Sequence, residues 1–184
     1  MIRTLYPTFQ HWSEKGSVYI ISDTHFEDAD CSFMDPHWIS PARQIEIINE
    51  MAHKTDTLIH LGDVGNPVWI GKLKAGHKVL ILGNHDQSAQ KFKSYFDEIY
   101  TGPLFIAEKI LLSHEPVYGL DWCLNIHGHD HSGMEEYRQG CKHINLAANV
   151  CGYIPINLGK VIENGVLSDI ESIHRKVINK ARNK

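Results

Sequence analysis

Val79-Leu80-Ile81-Leu82-Gly83-Asn84-His85-Asp86 runs four apolar residues straight into a glycine and three polar residues. A short unbroken apolar run bounded by Gly predicts a strand buried on both faces. Asn84, His85 and Asp86 then fall in the loop at its C-terminal end, where open α/β sheets place their ligand sites.

The same grammar recurs on either side. Ser17-Val18-Tyr19-Ile20-Ile21-Ser22 predicts a strand that ends on Asp23-Thr24-His25, and Thr57-Leu58-Ile59-His60-Leu61 one that ends on Gly62-Asp63. Leu104-Phe105-Ile106-Ala107 and Lys109-Ile110-Leu111-Leu112 predict two strands joined tightly at Glu108-Lys109, the second ending on Ser113-His114. Cys123-Leu124-Asn125-Ile126-His127 predicts a strand that ends on Gly128-His129-Asp130-His131, and His143-Ile144-Asn145-Leu146-Ala147 a further one.

Between them lie helices. Ser40 reads as an N-cap with Pro41 at the first helical position, and Ile45, Ile48, Met51 and Ala52, widened by Ile47, give an apolar stripe to about Lys54. Pro67 starts a short helix to Lys74, and residues 88–96 predict a surface helix with Phe92, Tyr95 and Phe96 turned inward. Residues 157–164 predict a short helix stopped by Gly165. Ser168-Asp169-Ile170-Glu171 reads as a capping box opening a C-terminal helix, with Ile170, Ile173, Val177 and Ile178 on one face. Residues 26–39 read as a polar loop, and residues 1–16 give no clear pattern.

Composition narrows the function. With 184 residues, 42% of them apolar and 22% charged, one globular domain spanning 1–184 is expected. A net charge of −4 does not indicate a broad nucleic-acid surface. The basic run His174, Arg175, Lys176, Lys180, Arg182 and Lys184 reads as a solvated helix face, its cations suited to the negative end of the helix dipole. Cys31, Cys123, Cys141 and Cys151 form no C-x-x-C pair and read as free thiols. With no apolar leader or membrane-length run, a cytoplasmic protein without membrane attachment is expected. Thirteen histidines are the one compositional figure that points to chemistry.

Five predicted strands thus end on candidate ligands: Asp23 and His25, Asp63, Asn84, His114, and His129 and His131. Two carboxylates, an amide oxygen and four imidazoles suit two divalent ions with mixed N/O ligation. His60 and His127 lie inside strands and read as core or supporting residues, and His37, Trp38 and Arg43 as parts of a surface loop.

Asp23-x-His25, Gly62-Asp63, Gly83-Asn84-His85-Asp86, His114 and Gly128-His129-x-His131 resemble, in composition and order, the motifs of the calcineurin-like metallophosphoesterases. The segment 145–155, with Tyr153 and Pro155, is similar to that of small bacterial and phage members. The resemblance implies an α/β fold: a four-layer α-β-β-α sandwich of two mixed sheets flanked by helices, with the metal site at the strand C-terminal ends. It implies that Asp23, His25, Asp63 and His131 hold one ion and Asp63, Asn84, His114 and His129 a second, with Asp63 bridging. Mn is the expected metal, and Fe, Zn and Ni also accept this set. A water between the ions would lose a proton and attack phosphorus in line, and Asn84 and His85 would meet the phosphoryl group. His85 would protonate the leaving oxygen, with Asp86 orienting its ring. Glycines 62, 83 and 128, lacking Cβ, would let backbone approach metal or phosphate.

The substrate implied is a small phosphoester, with a nucleotide-type phosphodiester favoured over a monoester. Val64-Gly65-Asn66-Pro67 stands where protein Ser/Thr phosphatases carry Asp-Arg-Gly, which argues against their substrates. The rival from another class is a non-catalytic, metal-bearing interaction module of the same fold. A single-metal hydrolase is a third reading. Sequence leaves the oligomeric state open.

Overall fold

A computed structural model describes residues 1–133 and 141–183; Lys184, the last of the basic run, lies outside them. Among the described residues, nine strands form two sheets. The first holds β1 (Val18–Ile21), β2 (Thr57–His60), β3 (His77–Ile81), β4 (Glu98–Tyr100) and β9 (Ile156–Asn157) in the order β4-β3-β2-β1-β9. Its four leading strands are parallel, and β9 runs antiparallel to β1. The second holds β5 (Leu104–Ala107), β6 (Ile110–Leu112), β7 (Leu124–His127) and β8 (Lys142–Asn145) in chain order, antiparallel at β5–β6 and parallel beyond. The fold is therefore α/β, two mixed sheets with flanking helices.

Side-chain alternation along each strand builds two cores. Val18 and Ile20 of β1, Ile59 of β2, and Val79 and Ile81 of β3 face Ile110, Leu112, Leu124 and Ile126 of the second sheet, all buried. The opposite face of the first sheet presents Ile21, Leu58 and Leu80 to Ile45 and Ile48 of helix α2 (Pro41–Met51) and to Phe92 and Phe96. The sheets are joined at the edge where β1 and β8 end: the Ser22 N–H donates to Leu146 O at 2.9 Å, and the Leu146 N–H to His127 O at 2.7 Å. Parallel pairing brings the ends of β1, β2 and β3 side by side, and those of β6 and β7 against them.

Local chemistry sets the helix limits. Ser40 Oγ accepts from the Arg43 N–H at 3.4 Å, so α2 begins as its cap predicts. It stops at Met51, and Ala52 packs into the core from the cap position. The 26–39 segment contains a one-turn helix, α1 (Cys31–Met34). The 88–96 helix shortens to α3 (Ala89–Phe92), with Phe92 and Phe96 buried as expected. Residues 67–72 form a 3₁₀ helix, as do residues 7–13, which plug Phe9 and Trp12 into the inter-sheet core. Asn157 caps α4 (Leu158–Glu163) through the Lys160 N–H at 3.1 Å.

The C-terminal helix departs from expectation. It is α5 (Ile173–Arg182), capped by Ser172 rather than by the Ser168 box. Ile170 is buried outside it, whereas Ile173 and Val177 are exposed and Ile178 is half-buried, so the helix itself has no fully buried residue. Glu98–Tyr100 pairs with β3 as a strand where none was expected.

Truncation should separate these two situations. Ile126→Ala, between the sheets, is expected to cost about 2–5 kcal/mol of unfolding free energy, and Val177→Ala, on the exposed helix, no more than about 0.5 kcal/mol. Chemical denaturation measures both; equal losses would place α5 in the core.

Candidate metal centre

The strand ends converge as two triads. Ligand atoms of Asp23, His25 and His131 lie within 4.8 Å of one another, and so do those of Asp63, His114 and His129. Asp63 sits between the triads, its Oδ2 3.3 Å from His114 Nε2 and 3.7 Å from His25 Nε2. Asn84 joins the second group, with Oδ1 2.7 Å from His114 Nε2 and 3.2 Å from His129 Nδ1. His131 Nε2 faces Asp23 Oδ1 at 3.6 Å.

The imidazole tautomers show what belongs there. His114 Nδ1 donates to Leu61 O at 2.9 Å, His25 Nδ1 to Asp28 Oδ2 at 3.0 Å, and His131 Nδ1 to Asn149 Oδ1 at 3.0 Å. With Nδ1 carrying the proton, each Nε2 presents a lone pair. Those lone pairs point at carboxylate and amide oxygens, which are also acceptors. Acceptors facing acceptors in a buried cleft repel unless a cation lies between them. Asp23 Oδ1 and His25 Nε2 are buried with no hydrogen-bond partner. An outer oxygen fixing the far nitrogen of each histidine is the arrangement that orients metal ligands. The residues therefore fit divalent ions.

Protonation reports the same demand. Burial raises the Asp23 carboxyl, and the neighbouring histidines offset this only in part. Burial acts likewise on Asp63, but His114, the His85 N–H and His25 together outweigh it and hold the carboxyl at about 2. His114 is raised above its ordinary value, its burial overcome by Asp63 and Asp23. The cleft draws positive charge to itself.

The backbone is bent to make the site. Asp23, His25, Asp63 and His129 have φ of 55°, 40°, 55° and 70°, the left-handed region that L-residues seldom occupy. Each such residue stores about 1–3 kcal/mol and persists only where its surroundings over-determine it. Here they do: the Asp23 N–H donates to Gly62 O at 2.9 Å, the His25 N–H to Asp63 O at 3.0 Å, and the His129 N–H to Asp23 Oδ2 at 2.9 Å. A Cβ on Gly83 would overlap the Asp63 carboxylate, and one on Gly128 the Asp23 carboxylate.

His85 and Asp86 part company. His85 is exposed at the rim, its ring 5.5 Å from that of His25. Asp86 is buried, and its oxygens accept from Asp63 N (2.8 Å), Gly83 N (3.0 Å) and Val64 N (3.1 Å). The expected contact with the His85 ring is replaced by three backbone N–H groups, so Asp86 ties the Gly62-Asp63 loop to the Gly83 loop. His60 is buried and neutral: Nδ1 accepts from Gly62 N at 3.2 Å, Nε2 meets Thr24 Oγ1 at 3.0 Å, and burial lowers its pKa to about 3. His127 Nδ1 donates to Gly128 O at 2.8 Å. Trp38, expected on a surface loop, packs its ring 5.9 Å from His25 and 5.7 Å from His131. His37 and Arg43 stay outside, with Arg43 paired to Glu46. Sequence reasoning missed Asp28 and Asn149; the spacing of Asp28, three residues past His25, was the available signal.

Residues 17–154 match the model of the calcineurin-like phosphoesterase superfamily domain, and the chain belongs to that superfamily. It is 30% identical over 179 residues to Uncharacterized protein MJ1445 of Methanocaldococcus jannaschii, covering 80% of this chain and 92% of that one. Among solved structures, the protein of unknown function AQ665 from Aquifex aeolicus superposes with a TM-score of 0.65 at 27% identity, over 80% of this chain and 98% of its own. Pseudomonas putida nuclease MPE aligns at a TM-score of 0.43 and 21% identity, over 61% and 60%. No helix of the described residues is long and apolar enough to cross a membrane.

Two outcomes follow from this geometry. Asp28→Asn should weaken metal binding about 10–100-fold, read by metal content after dialysis; unchanged affinity would remove Asp28 from the site. His60 is depressed from 6.5 to about 3, so its stabilising contribution is complete above pH 6.5 and lost as pH falls toward 3. In that window it adds a slope of about 1.4 kcal/mol per pH unit. Denaturation of His60→Gln across the window should show that slope removed, and an unchanged slope would refute the assignment.

Proposed function

We propose that the protein is a dinuclear metal-dependent phosphoesterase that hydrolyses a phosphodiester of nucleotide type. The observation that carries this reading is the pair of clefts on either side of the ligand cluster. One, of about 470 Å³, is lined by Asn84, His114, Thr101, Pro103, Pro116 and Tyr118. The other, of about 460 Å³, is lined by His25, Phe26, Asp28, Asn66, His85 and Lys91. A phosphorus held between them has room for a substituent on each side, as a diester requires and a monoester does not. Tyr118 and the two prolines suit a flat base by stacking, whereas the His85 side is polar.

Asp23, His25, Asp63 and His131 would hold one ion and Asp63, Asn84, His114 and His129 the other, with Mn the expected occupant. When bound, such ions acidify water and withdraw charge from phosphoryl oxygens. The chain supplies the rest. Asn84 and His85 stand at the exposed rim where the phosphoryl group would approach. His85 shares its cleft with Lys91, so a leaving oxygen on that side can take its proton from the imidazole. Asp86 keeps Asp63 and Gly83 in register and stays off the substrate. A small phosphoester or nucleotide is the proposed partner.

The test is hydrolysis of bis-p-nitrophenyl phosphate and p-nitrophenyl phosphate with Mn²⁺. Diester turnover should exceed monoester turnover. His85→Asn should cut kcat about 10²–10⁴-fold while metal content stays near two ions, and Asp63→Asn should lose metal and activity together. No metal-dependent turnover of either ester or of nucleotide diesters would leave the interaction-module reading in its place. Loss of metal from His85→Asn would make it a ligand.

A further inference from the structure

A second group of metal-ligating side chains lies at the opposite end of β3. His77 opens that strand and Asn84 follows its close, seven residues apart, or about 20 Å of extended chain. His77 Nε2 is 2.7 Å from Glu98 Oε1, and His11 Nε2, from the N-terminal 3₁₀ helix, is 2.6 Å from the same oxygen. The two rings meet edge to face at 5.7 Å, so both nitrogens converge on one point beside the carboxylate. Ligand atoms of the three residues lie within 4.8 Å of one another.

The surroundings hold these groups as a metal site holds its ligands. Trp12 Nε1 donates to Glu98 Oε1 at 2.9 Å, and Tyr100 Oη donates to Oε2 at 2.6 Å, so the carboxylate cannot swing away. His77 Nδ1 faces Asp97 Oδ2 at 3.7 Å, placing an anion behind the nitrogen opposite the cluster. Carboxylates behind histidines and hydrogen bonds onto ligating carboxylates are what fix metal ligands in place.

We propose that His11, His77 and Glu98 form a separate site for a borderline divalent cation such as Zn²⁺, which pins the N-terminal 3₁₀ helix to the first sheet. Two imidazoles and one carboxylate form a zinc ligand set, with a fourth position open to water. Tetrahedral zinc needs its ligand atoms roughly 3.3 Å apart, so each histidine must withdraw slightly from Glu98. His11 is about half exposed and His77 a third, which leaves them room to move. The cation would replace two histidine–carboxylate hydrogen bonds by coordination and leave those of Trp12 and Tyr100 in place. It would link residues 87 positions apart in the chain.

Equilibrium dialysis of the metal-stripped full chain against micromolar ZnCl₂, with metal counting and thermal unfolding, tests this. The wild type should hold one more Zn²⁺ per chain than either His11→Ala or His77→Ala, and its Zn²⁺-induced rise in Tm should exceed theirs. Asp97→Asn should keep the extra ion but bind it about 10–100-fold more weakly. Asp63→Asn should retain it, which separates this site from the candidate centre at the other strand ends. Mn²⁺-dependent turnover should be the same in His11→Ala as in wild type. Equal zinc counts in wild type and both histidine variants, or a difference seen only at millimolar zinc, would overturn the proposal.

Discussion

The structure depends on the Asp63 carboxylate. One oxygen accepts the His85 N–H at 2.9 Å, and the other lies between His25 and His114. A buried anion surrounded by acceptor lone pairs is among the least favourable arrangements a protein can adopt on its own. Asp23, wholly buried and with one bare oxygen, adds a second negative charge nearby. The side chains facing these carboxylates are imidazoles, His25 and His114 for Asp63 and His131 for Asp23. In the proposed metal-bound state, cations from outside would complete the electrostatics of this cleft.

The apolar core explains why the ligands arrive where they do. Parallel strands cannot be joined by tight hairpins, so each returns through a helix or loop and ends on the same edge. The ligands sit two to four residues past those ends, where the chain must turn at once. Left-handed residues make the turn, and Gly83 and Gly128 allow the neighbouring backbone to close over the carboxylates. Strain and close approach are thus concentrated in a few residues whose surroundings offer no alternative. Asp86 contributes by tying the Gly62-Asp63 turn to the Gly83 turn through three N–H groups.

Much of this was legible in the chain. Buried parallel strands read as continuous apolar runs, and polar residues directly after them stand out. Hence the strands on Val18, Leu58, Val79, Ile110 and Leu124 and the residues brought together at their ends were readable. Three kinds of feature were not. Glu98-Ile99-Tyr100 is an edge strand three residues long, too short for any period, and its glutamate is fixed by contacts from distant segments. The start of the last helix was misplaced because Ser168 and Ser172 both offer caps, and burial of Ile170 in the inter-sheet core stopped the helix from forming earlier. Asn149 beside His131, and the Asp63 and Val64 N–H groups that Asp86 meets, are tertiary contacts that no spacing encodes, whereas Asp28 lies only three residues past His25. Asp86 shows the difference well. The resemblance implied a pair with His85, but successive residues in a turn diverge, and the buried one went to backbone N–H groups.

This divergence bears on what the site is for. Were His85 needed to build the centre, it would be buried among the ligands and tied by its ring to a fixed acceptor. The residues that do build it meet that description: His25, His114 and His131 each have one nitrogen anchored and the other turned inward. His85 has its main-chain N–H engaged with Asp63 while its ring stands at the rim of an open cleft. Its backbone serves the fold and its side chain does not. A scaffold that only held metal would need the first and have no use for the second. On the proposed reading, an imidazole kept exposed beside the candidate ligand cluster, on a loop fixed from beneath by Asp86, stands where proton transfer to a departing oxygen would need it.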